Sequence, residues 1–294
     1  MNITSWLKKN TSSLAGKTIA ITGSTGGIGK ELCKHIASLG GKLILIDRNK
    51  DKSEANMQAL HAEFPGVSVC CVNANLESIE SVKRAVEALK KHHIDILIHN
   101  AGAYSIPRKK CSTGYDNVFQ INFVSPYYMI KELMPQIKKC KGRVVVIGSI
   151  AHALSRVDIN DVDFSDVSSD MKVYGNAKRY LMFSLHELFK EETGISLAIS
   201  HPGITPTNIT SGYPKIVSKI IKYPMKLIFT SPKKASLSTL RGIYEKTEYH
   251  TWIGPRVFGI WGFPAKSELK TCSVEESEYI SDVAEKIYEK YKLM

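Results

Sequence analysis

The sequence predicts a doubly wound α/β fold, in which helices cover both faces of a mostly parallel β-sheet. Short runs of β-branched residues alternate along the chain with longer amphipathic segments. These runs are almost continuously apolar, as expected for strands of a parallel sheet that is buried on both faces. The chain has 294 residues, of which 43% are hydrophobic, enough for one large core. We therefore expect a single domain over residues 1–294.

Six of the short apolar runs are predicted as strands. They cover residues 17–22, 42–47, 67–72, 94–99, 143–147 and 195–200. Between the later strands, residues 115–134 and 173–190 have apolar faces at helical spacing. In a parallel sheet the carboxyl ends of neighbouring strands meet at one edge, where ligands of such folds bind. The polar residues that follow these strands are therefore the candidates for a functional site.

The two ends of the chain carry different signals. Residues 1–16 form an N-terminal extension without the apolar core of a signal peptide, and no apolar run approaches the roughly 20 residues of a transmembrane helix. Near the other end, Ser273 and Glu276 have the spacing of a helix capping box. The apolar residues that follow recur at helical spacing, at Ile280, Val283, Ile287 and Tyr291. We expect a C-terminal helix over residues 273–294 that packs on the body.

The charge balance limits the classes of partner. Lysine and arginine number 40 against 28 aspartates and glutamates, a formal net charge of +12. This excess suggests a phosphorylated cofactor, an acidic substrate, a lipid headgroup surface or nucleic acid. The chain has no aromatic signature of an RNA-binding domain and no zinc-finger spacing, so we expect no nucleic acid partner. The six cysteines show no metal-ligand spacing, which favours reduced thiols, no bound metal and a cytoplasmic protein, attached at most to a membrane surface.

One basic segment stands apart, because residues 193–244 contain no aspartate or glutamate. Its lysines recur in steps of four, three and four, which places them in one stripe of a helix. They are Lys215, Lys219, Lys222 and Lys226. Two interpretations stay open. The segment is either a covering helix with a solvated lysine face, or residues 215–229 make a peripheral contact with an anionic membrane surface.

A glycine-rich loop follows the first predicted strand and runs directly into a helical pattern. Residues 22–29 read TGSTGGIG. Glycines allow a sharp turn and let a pyrophosphate approach the backbone, while a helix start offers free N–H groups to the anion. The sequence therefore predicts a dinucleotide site in this loop. Its candidate binding residues are Gly23, Ser24, Thr25, Gly27, Ile28 and Gly29.

Two adjacent residues of opposite charge bear on the choice of dinucleotide. Asp47 ends the second predicted strand, where a carboxylate can accept hydrogen bonds from an adenosine ribose. This favours NAD over NADP. Arg48 has the opposite implication, because with Lys50 and Lys52 it can neutralise a 2′-phosphate. NADP therefore stays open as the alternative.

Tyr174 and Lys178 are four residues apart, so on a helix both side chains share one face. A tyrosine with an ordinary pKa near 10 is a poor proton shuttle at neutral pH. An adjacent ammonium group would stabilise the phenolate and lower that pKa. The spacing therefore indicates an acid/base pair.

Other polar positions are predicted near the same edge of the sheet. Ser149 follows the strand at 143–147, and the segment Asn100, Ala101 and Gly102 ends the strand at 94–99 in the same way. Asn122 lies within the apolar helix pattern, where an amide needs a hydrogen-bond partner or a functional role. We expect these groups to line one cleft.

Taken in chain order, these motifs resemble the short-chain dehydrogenase/reductase family over nearly the whole length of the chain. The matching pieces are the TGxxxGIG loop, the NAG strand end, Asn122, Ser149, the YxxxK pair, and Pro202-Gly203 followed by Thr207. This resemblance implies a Rossmann fold, NAD or NADP as cofactor, and a catalytic tetrad. The tetrad would be Asn122, Ser149, Tyr174 and Lys178.

The same resemblance assigns a role to each residue. Tyr174 would exchange the proton with the substrate oxygen, and Lys178 would also hold the nicotinamide ribose. Ser149 would orient the substrate, and Asn122 would hold a relay water. Other residues would contact the cofactor: Asn75 and Leu76 at the adenine, Asn100, Ala101 and Gly102 along the cleft, and Pro202, Gly203 and Thr207 beside the nicotinamide.

The interval of 25 residues between Ser149 and Tyr174 is longer than in many family members. With Ala151-His152 inside it, the chain is most similar to the retinol-dehydrogenase-like branch. The acidic residues 158–170 lack the glycine and terminal glutamate of an EF-hand loop. We expect a solvated loop near the mouth of the active site, with His152 as an ordinary loop residue.

The activity implied by the resemblance is hydride transfer between a nicotinamide and a small-molecule alcohol or carbonyl compound. Residues 204–245 would form a lid over an apolar pocket, which favours a bulky substrate such as a steroid, retinoid or lipid. The faces at 115–134 and 173–190 are of the kind this family uses for dimers, so a homodimer is open beside a monomer. The alternative function is a cofactor-binding regulatory or scaffold protein without turnover.

Overall fold

The computed structural model describes residues 2–204, 230–269 and 271–293. Within these ranges one sheet has the strand order β3-β2-β1-β4-β5-β6-β7-β8. The strands are β1 (Thr18–Thr22), β2 (Lys42–Asp47), β3 (Val69–Asn73), β4 (Ile96–His99), β5 (Arg143–Ile147), β6 (Ser196–Ser200), β7 (Thr251–Val257) and β8 (Trp261–Glu268). Neighbours pair in parallel as far as β7, and β8 returns antiparallel to β7. The predicted doubly wound sheet is confirmed.

Helices connect these strands. They are α1 (Ile3–Asn10), α2 (Gly27–Ser38), α3 (Lys50–Glu63), α4 (Ile79–Leu89), α5 (Asn117–Phe119, a π-helical turn Gln120–Val124, then Ser125–Lys139), α6 (Asp170–Leu188), α7 (Pro232–Tyr244) and α8 (Val274–Lys292). A short 3₁₀ helix, Ile150–Leu154, follows β5. The strand order reverses between β1 and β4, so the loops after β1, β4 and β5 meet at one edge.

Alternate residues of each strand face opposite layers of core. Ile44 and Val144 belong to the layer under α4, α5, α6 and α8, whereas Leu45 and Val145 belong to the layer under α2 and α7. This alternation follows from the two-residue period of a strand. Both faces of the sheet are therefore buried, which explains why the apolar runs in the sequence are almost continuous.

The six predicted strands are confirmed to within two residues at each end. The hairpin of β7 and β8 was not expected, because Pro255, Pro264 and its glycines interrupt the apolar pattern. Helix α1 lies in the segment expected only as an extension. Its Trp6 is 2% exposed and stacks on Phe263 of β8, and Ile3 and Leu7 also pack against the core.

The predicted C-terminal helix is confirmed as α8. The Ser273 side chain accepts the Glu276 N–H, as in a capping box. The Glu276 carboxylate accepts instead from Arg179 Nε at 2.7 Å, on another helix. The predicted apolar face is also present, since Ile280 and Tyr291 are buried against α5 and α6.

The segment expected as a lid, residues 204–245, divides into two parts. Residues 205–229, which include Lys215, Lys219, Lys222 and Lys226, lie outside the described residues. Residues 232–244 form α7, whose Leu237 and Leu240 are fully buried against the sheet and α2. This part of the segment therefore belongs to the core.

Two expectations drawn from composition can be compared with the described residues. All six cysteines are free thiols, and Cys33 is buried. In the same part of the chain, none of the helices has the length and apolar character needed to cross a bilayer, and no group of His, Cys, Asp or Glu could hold a metal ion.

Candidate active site

The glycine loop forms a tight turn between β1 and α2. Gly23 has φ +70°, a conformation that favours glycine, and its N–H donates to Ile46 of β2. A Cβ on Gly29 would lie 2.1 Å from the Gly23 carbonyl oxygen. The first turn of α2 therefore touches the loop backbone, and a side chain at position 29 cannot be accommodated.

The start of α2 differs from that of the other described helices. Asn2, Asn49, Ser78, Ser169, Ser231 and Ser273 cap α1, α3, α4, α6, α7 and α8 through their side chains. The N-cap of α2 is Gly26, which makes no side-chain cap, and its first turn carries no acidic residue. Free N–H groups and the positive end of the helix dipole thus face the strand edge. The residues fit a pyrophosphate.

Asn100 supports this loop from β4. Its Nδ2 donates to the carbonyls of Thr22 at 3.0 Å and Gly23 at 2.9 Å. The backbone N–H groups of Asn100 and Ala101 donate to the Thr22 hydroxyl. The NAG segment therefore has two roles, because it lies along the cleft and also fixes the shape of the glycine loop.

Asp47 is 4% exposed and is also tied to the loop. Its Oδ2 accepts from Ser24 Oγ at 2.5 Å and Ser53 Oγ at 2.9 Å. Oδ1 receives only long contacts from Thr25, at 3.3 Å from its N and 3.4 Å from its Oγ1. The neighbouring Arg48 is 69% exposed and lies 3.6 Å from Glu77. The carboxylate thus holds the loop and keeps one oxygen with acceptor capacity.

The two residues expected at the adenine lie after β3. Asn75 is partly exposed and its Oδ1 accepts the Glu77 N–H at 3.2 Å. Leu76 is 7% exposed in the core, and its carbonyl accepts the Ser125 hydroxyl. The side chain of Leu76 is therefore core, which leaves Asn75 as the polar group at this position.

Gly102 joins two residues of the predicted tetrad. A Cβ at Gly102 would lie 2.7 Å from Asn122 Oδ1 and 3.5 Å from Lys178 Nζ. Asn122 and Lys178 therefore both lie beside this glycine, although 56 residues separate them in the chain. Lys178 Nζ donates to the Ile147 carbonyl at 2.8 Å, which anchors it under the end of β5.

Tyr174 completes the cluster with Ser149. The two side chains are hydrogen-bonded, and Lys178 Nζ lies 5.7 Å from the centre of the Tyr174 ring. Tyr104, after β4, packs its ring edge against Tyr174 at a centroid distance of 5.4 Å. All four residues predicted as a tetrad thus come together in the structure.

Asn122 lies in the π-helical turn of α5. It is fully buried, its Nδ2 donates to the Ala103 and Val118 carbonyls at 2.8 Å, and its Oδ1 accepts the Ala103 N–H at 3.3 Å. A π-turn inserts a residue into the helix and is frequent at functional sites. The amide therefore finds the partners that its position in an apolar helix required.

The pKa of Tyr174 departs from the expected direction. Burial raises the pKa of Tyr174 to about 12, and Tyr104 adds to this, while the hydrogen bond from Ser149 acts the other way. Burial also lowers the pKa of Lys178 to about 8. The prediction that Lys178 lowers the pKa of Tyr174 was wrong for this structure, because burial raises that pKa and the Lys178 ammonium group is directed at the Ile147 carbonyl.

The segment after β6 borders the same region. Gly203 has φ +82°, and a Cβ there would lie 3.1 Å from the Ile260 carbonyl oxygen in the β7–β8 hairpin. The preceding His201 stacks on Trp252 of β7, and its Nε2 lies 2.8 Å from the Gly259 carbonyl. Pro202 and Gly203 are thus held by the hairpin, whereas Thr207 lies outside the described residues.

Sequence reasoning missed two residues of this site. Tyr104 belongs to no motif, and only its position two residues after Gly102 could have indicated it. His152 was expected to be an ordinary loop residue, yet it is 2% exposed. Its burial follows from contacts with Trp252 and Thr271, both more than 90 residues away, which no local pattern encodes.

The acidic loop also differs from a freely solvated one. Arg108 donates Nη2 to the carbonyls of Phe164 at 2.8 Å and Ser165 at 3.1 Å, and its Nε pairs with Asp116 at 2.9 Å. Asp163 accepts the Asp116 N–H. One arginine therefore ties this loop to the start of α5, beside the cleft.

Comparison with known proteins agrees with this geometry. The model of the short chain dehydrogenase family matches residues 17–161. The WW domain-containing oxidoreductase of Drosophila melanogaster is 31% identical over 202 residues, 65% of this chain and 49% of that protein. Retinol dehydrogenase 13 of Homo sapiens is 26% identical over 202 residues, 67% of this chain and 61% of that protein. The chain thus spans about half the length of the first of these relatives.

Solved structures show the same fold. An uncharacterised protein from Mycobacterium paratuberculosis superposes with a TM-score of 0.78 at 20% sequence identity, covering 96% of each chain. The matched family segment contains the glycine loop, Asn122 and Ser149, and the geometry brings Tyr174 and Lys178 to them from beyond it. Over residues 17–161 this chain is similar to the short chain dehydrogenase family, and it is also similar to retinol dehydrogenases.

Proposed function

We propose that this chain is an NAD(P)-dependent oxidoreductase that transfers a hydride between the nicotinamide ring and a carbon bearing a hydroxyl or carbonyl oxygen. The observation that carries the proposal is the cluster of Asn122, Ser149, Tyr174 and Lys178 around Gly102. It lies at the strand edge that also holds the uncapped start of α2. When bound, the cofactor supplies or accepts the hydride, and the protein supplies orientation and the proton.

In this proposal Tyr174 exchanges a proton with the substrate oxygen. With a pKa of about 12 its hydroxyl is protonated at neutral pH, the form that donates when a carbonyl is reduced. Ser149, hydrogen-bonded to Tyr174, orients the substrate oxygen. Lys178 would hold the nicotinamide ribose from its anchor on Ile147, and Asn122 would hold a relay water beside Gly102.

For the cofactor we favour NAD(H) over NADP(H). Asp47 Oδ1 keeps acceptor capacity for a ribose hydroxyl, and its charge would repel a 2′-phosphate. Arg48, which would favour the phosphate, is solvent-exposed and lies near Glu77. We expect kcat/KM for NAD(H) to exceed that for NADP(H) by about tenfold, or about 1.4 kcal/mol.

The matched pair of variants for this choice is Arg48→Ala and Asp47→Asn. The first should widen the preference for NAD(H), and the second should narrow it. A tenfold preference of the wild type for NADP(H) would instead mean that Arg48 decides the selectivity.

The proposed substrate is a bulky apolar alcohol or carbonyl compound, of steroid, retinoid or lipid type. Support comes from the similarity to a protein named retinol dehydrogenase and from the apolar residues expected in the lid. Much of that lid, residues 205–229, lies outside the described residues. The proposal predicts higher kcat/KM on retinoids and steroids than on sugars.

The test is a panel of alcohols and ketones assayed with both cofactors, followed by Tyr174→Phe on the best substrate. We expect turnover to fall about 10³-fold with cofactor affinity nearly unchanged, because only the proton donor is lost. Lys178→Ala should reduce both. Near-full activity of the Phe variant would rule out this mechanism, and tight cofactor binding without turnover of any compound would support the regulatory alternative.

Two further expectations stay predictions from the sequence. A homodimer through the faces at 115–134 and 173–190 would compete with α8, because Glu285 pairs with Lys131 and Tyr288 donates to Glu132 across that surface. We therefore favour a monomer at this face. A peripheral membrane contact through residues 215–229 concerns a segment outside the described residues.

A further inference from the structure

The backbone carbonyl of Ser149 has a buried hydrogen-bond partner that none of the sequence motifs predicts. His152 lies three residues on, in the 3₁₀ turn after β5, and its Nδ1 is 2.5 Å from the Ser149 carbonyl oxygen. Its Nε2 is 2.7 Å from Thr271 Oγ1, in the segment that precedes α8. The imidazole therefore spans from the serine of the site to a residue 122 positions away in the chain.

The partners determine which nitrogen carries the proton. A carbonyl oxygen only accepts hydrogen bonds, so Nδ1 must be the donor to Ser149. In the neutral ring Nε2 is then the acceptor, and the Thr271 hydroxyl donates to it. Burial beside Arg179 and Arg156 lowers the pKa of His152, which keeps the ring in this neutral form at pH 7.

A buried arginine holds both ends of this connection. Arg179 on α6 is fully buried and donates Nη1 to the His152 carbonyl at 3.3 Å and Nη2 to the Thr271 carbonyl at 2.5 Å. Its Nε donates to Glu276 in the first turn of α8. The ring itself packs edge-on against Trp252 and Phe183 at 5.5 and 5.9 Å between centroids. Ring packing and hydrogen bonds thus hold His152 from several sides.

The helix that carries Tyr174 packs closely on the same turn. A Cβ at Gly175 would lie 2.3 Å from the Ala151 carbonyl oxygen, and Ser155 Oγ donates to the Lys172 carbonyl at 2.7 Å. The turn that His152 fixes thus lies between Ser149 and the start of α6. A displacement of this turn would change the distance between the Ser149 and Tyr174 hydroxyls.

We infer that His152 is a positioning residue for the reaction. Its hydrogen bonds to the Ser149 carbonyl and the Thr271 hydroxyl connect the catalytic serine to the segment before α8 and so hold that serine in place. The inference rests on the function proposed above. His152 does not touch the reacting atoms, and its effect passes through Ser149. Ser149, Lys178 and Tyr104, which lie beside Tyr174, are all retained when His152 is substituted.

The test compares two substitutions of the same residue. Phe in His152→Phe keeps the ring contacts and removes both hydrogen bonds, whereas Asn in His152→Asn places an amide N–H near the position of Nδ1. We expect His152→Phe to lower kcat/KM by about 10- to 100-fold, as a small displacement of an active-site group can do. His152→Asn should recover at least about fivefold of that loss, and Thr271→Val should show a smaller decrease than His152→Phe.

A double-mutant cycle separates positioning from general damage to the fold. In a Ser149→Ala background, His152→Phe should cost less than about threefold, because the group it positions is gone. The matched control is His186→Phe, another buried histidine, which contacts Phe183 but not Ser149. That variant should keep the wild-type kcat/KM. Effects that simply multiply in the double mutant, or an Asn variant no better than Phe, would overturn the inference.

Amide hydrogen exchange tests the connection without turnover, so its failure is distinct from failure of the proposed function. In His152→Phe we expect faster exchange in residues 148–155 and unchanged exchange in α2. Equal exchange of 148–155 in wild type and His152→Phe would contradict the inference whatever the activity. Wild type without activity on any substrate, but with the expected exchange difference, would count against the proposed function alone.

Discussion

The glycine loop after β1 and the serine loop after β5 lie at the same edge of the sheet, but different parts of the fold hold them. The glycine loop is fixed from neighbouring strands, by Asp47 of β2 and Asn100 after β4. The serine loop is fixed by Arg179 of α6 and by the segment before α8, from the far end of the chain. A motif can therefore encode the first loop, whereas the second depends on how the whole chain folds.

The difference also concerns charge. Around the glycine loop, the Asp47 carboxylate accepts from neutral hydroxyls, and the start of α2 is left uncapped for an anion. Around the serine loop, a fully buried guanidinium is paired with Glu276, which is 18% exposed. Removing one partner of a buried ion pair strongly lowers the free energy of unfolding, because the other charge is left buried without its partner. The two loops should thus respond differently to single substitutions.

The largest expected effect is on the serine loop. Glu276→Gln should lower the free energy of unfolding by about 3 kcal/mol, because it leaves the Arg179 guanidinium buried without its carboxylate. The measurement is urea unfolding of the variant and the wild type. The matched control is Glu192→Gln, which breaks an ion pair with Lys138 whose partners are 28% and 47% exposed, and which should cost less than about 1 kcal/mol. Equal losses in the two variants would remove the distinction between the loops.

A second prediction concerns the glycine loop. In Gly29→Ala the new methyl would lie 2.1 Å from the Gly23 carbonyl oxygen, so the turn must deform, and cofactor affinity should fall about 100-fold. Isothermal titration with both dinucleotides measures this. In Gly26→Ala the methyl would meet the Gly23 oxygen at an ordinary 3.5 Å, so the fold should persist. Unaltered affinity in the Gly29 variant would mean that the dinucleotide does not bind over this turn.

A third effect should appear as the pH falls. Burial lowers the pKa of His99 and His186 to about 3 and that of His201 to about 4. The unfolded chain takes up these protons near pH 6.5 and the folded chain only at much lower pH. Stability is therefore fully present above about pH 6.5 and decreases below it, by up to about 1.4 kcal/mol per pH unit for each such histidine.

The measurement is the unfolding free energy at pH 7, 6 and 5. His186→Phe should reduce the slope of the unfolding free energy against pH by an amount equivalent to about one proton. A slope that is the same in the wild type and the His186 variant would show that this histidine is protonated without penalty in the folded chain. Because His99, His186 and His201 lie at or after β4, the effect belongs mainly to the second half of the chain.

The features that could be predicted from the sequence are also divided between the two loops. The TGSTGGIG loop, Asp47, Asn100 and the six strands could be predicted, because each has a local signature in the sequence, such as a glycine pattern, an apolar run or a polar residue at a strand end. The β7–β8 hairpin and α1 could not, since prolines, glycines and the Trp6–Phe263 contact give no periodic pattern. The side chain of Leu76 lies in the core, so its expected contact with the cofactor stays a prediction that concerns its backbone.

The sequence by itself determined the fold class and the glycine loop, and it gave Asn122, Ser149, Tyr174 and Lys178 as candidate site residues, since strand and helix periods and short motifs are local properties. Only the tertiary structure decided the pKa of Tyr174, which depends on how much water burial removes from its hydroxyl. The tertiary structure likewise decided that His152 lies between Ser149 and Thr271, because that contact needs α8 to pack on α6. Burial and long-range pairing are properties of the packed chain, and no window of sequence contains them.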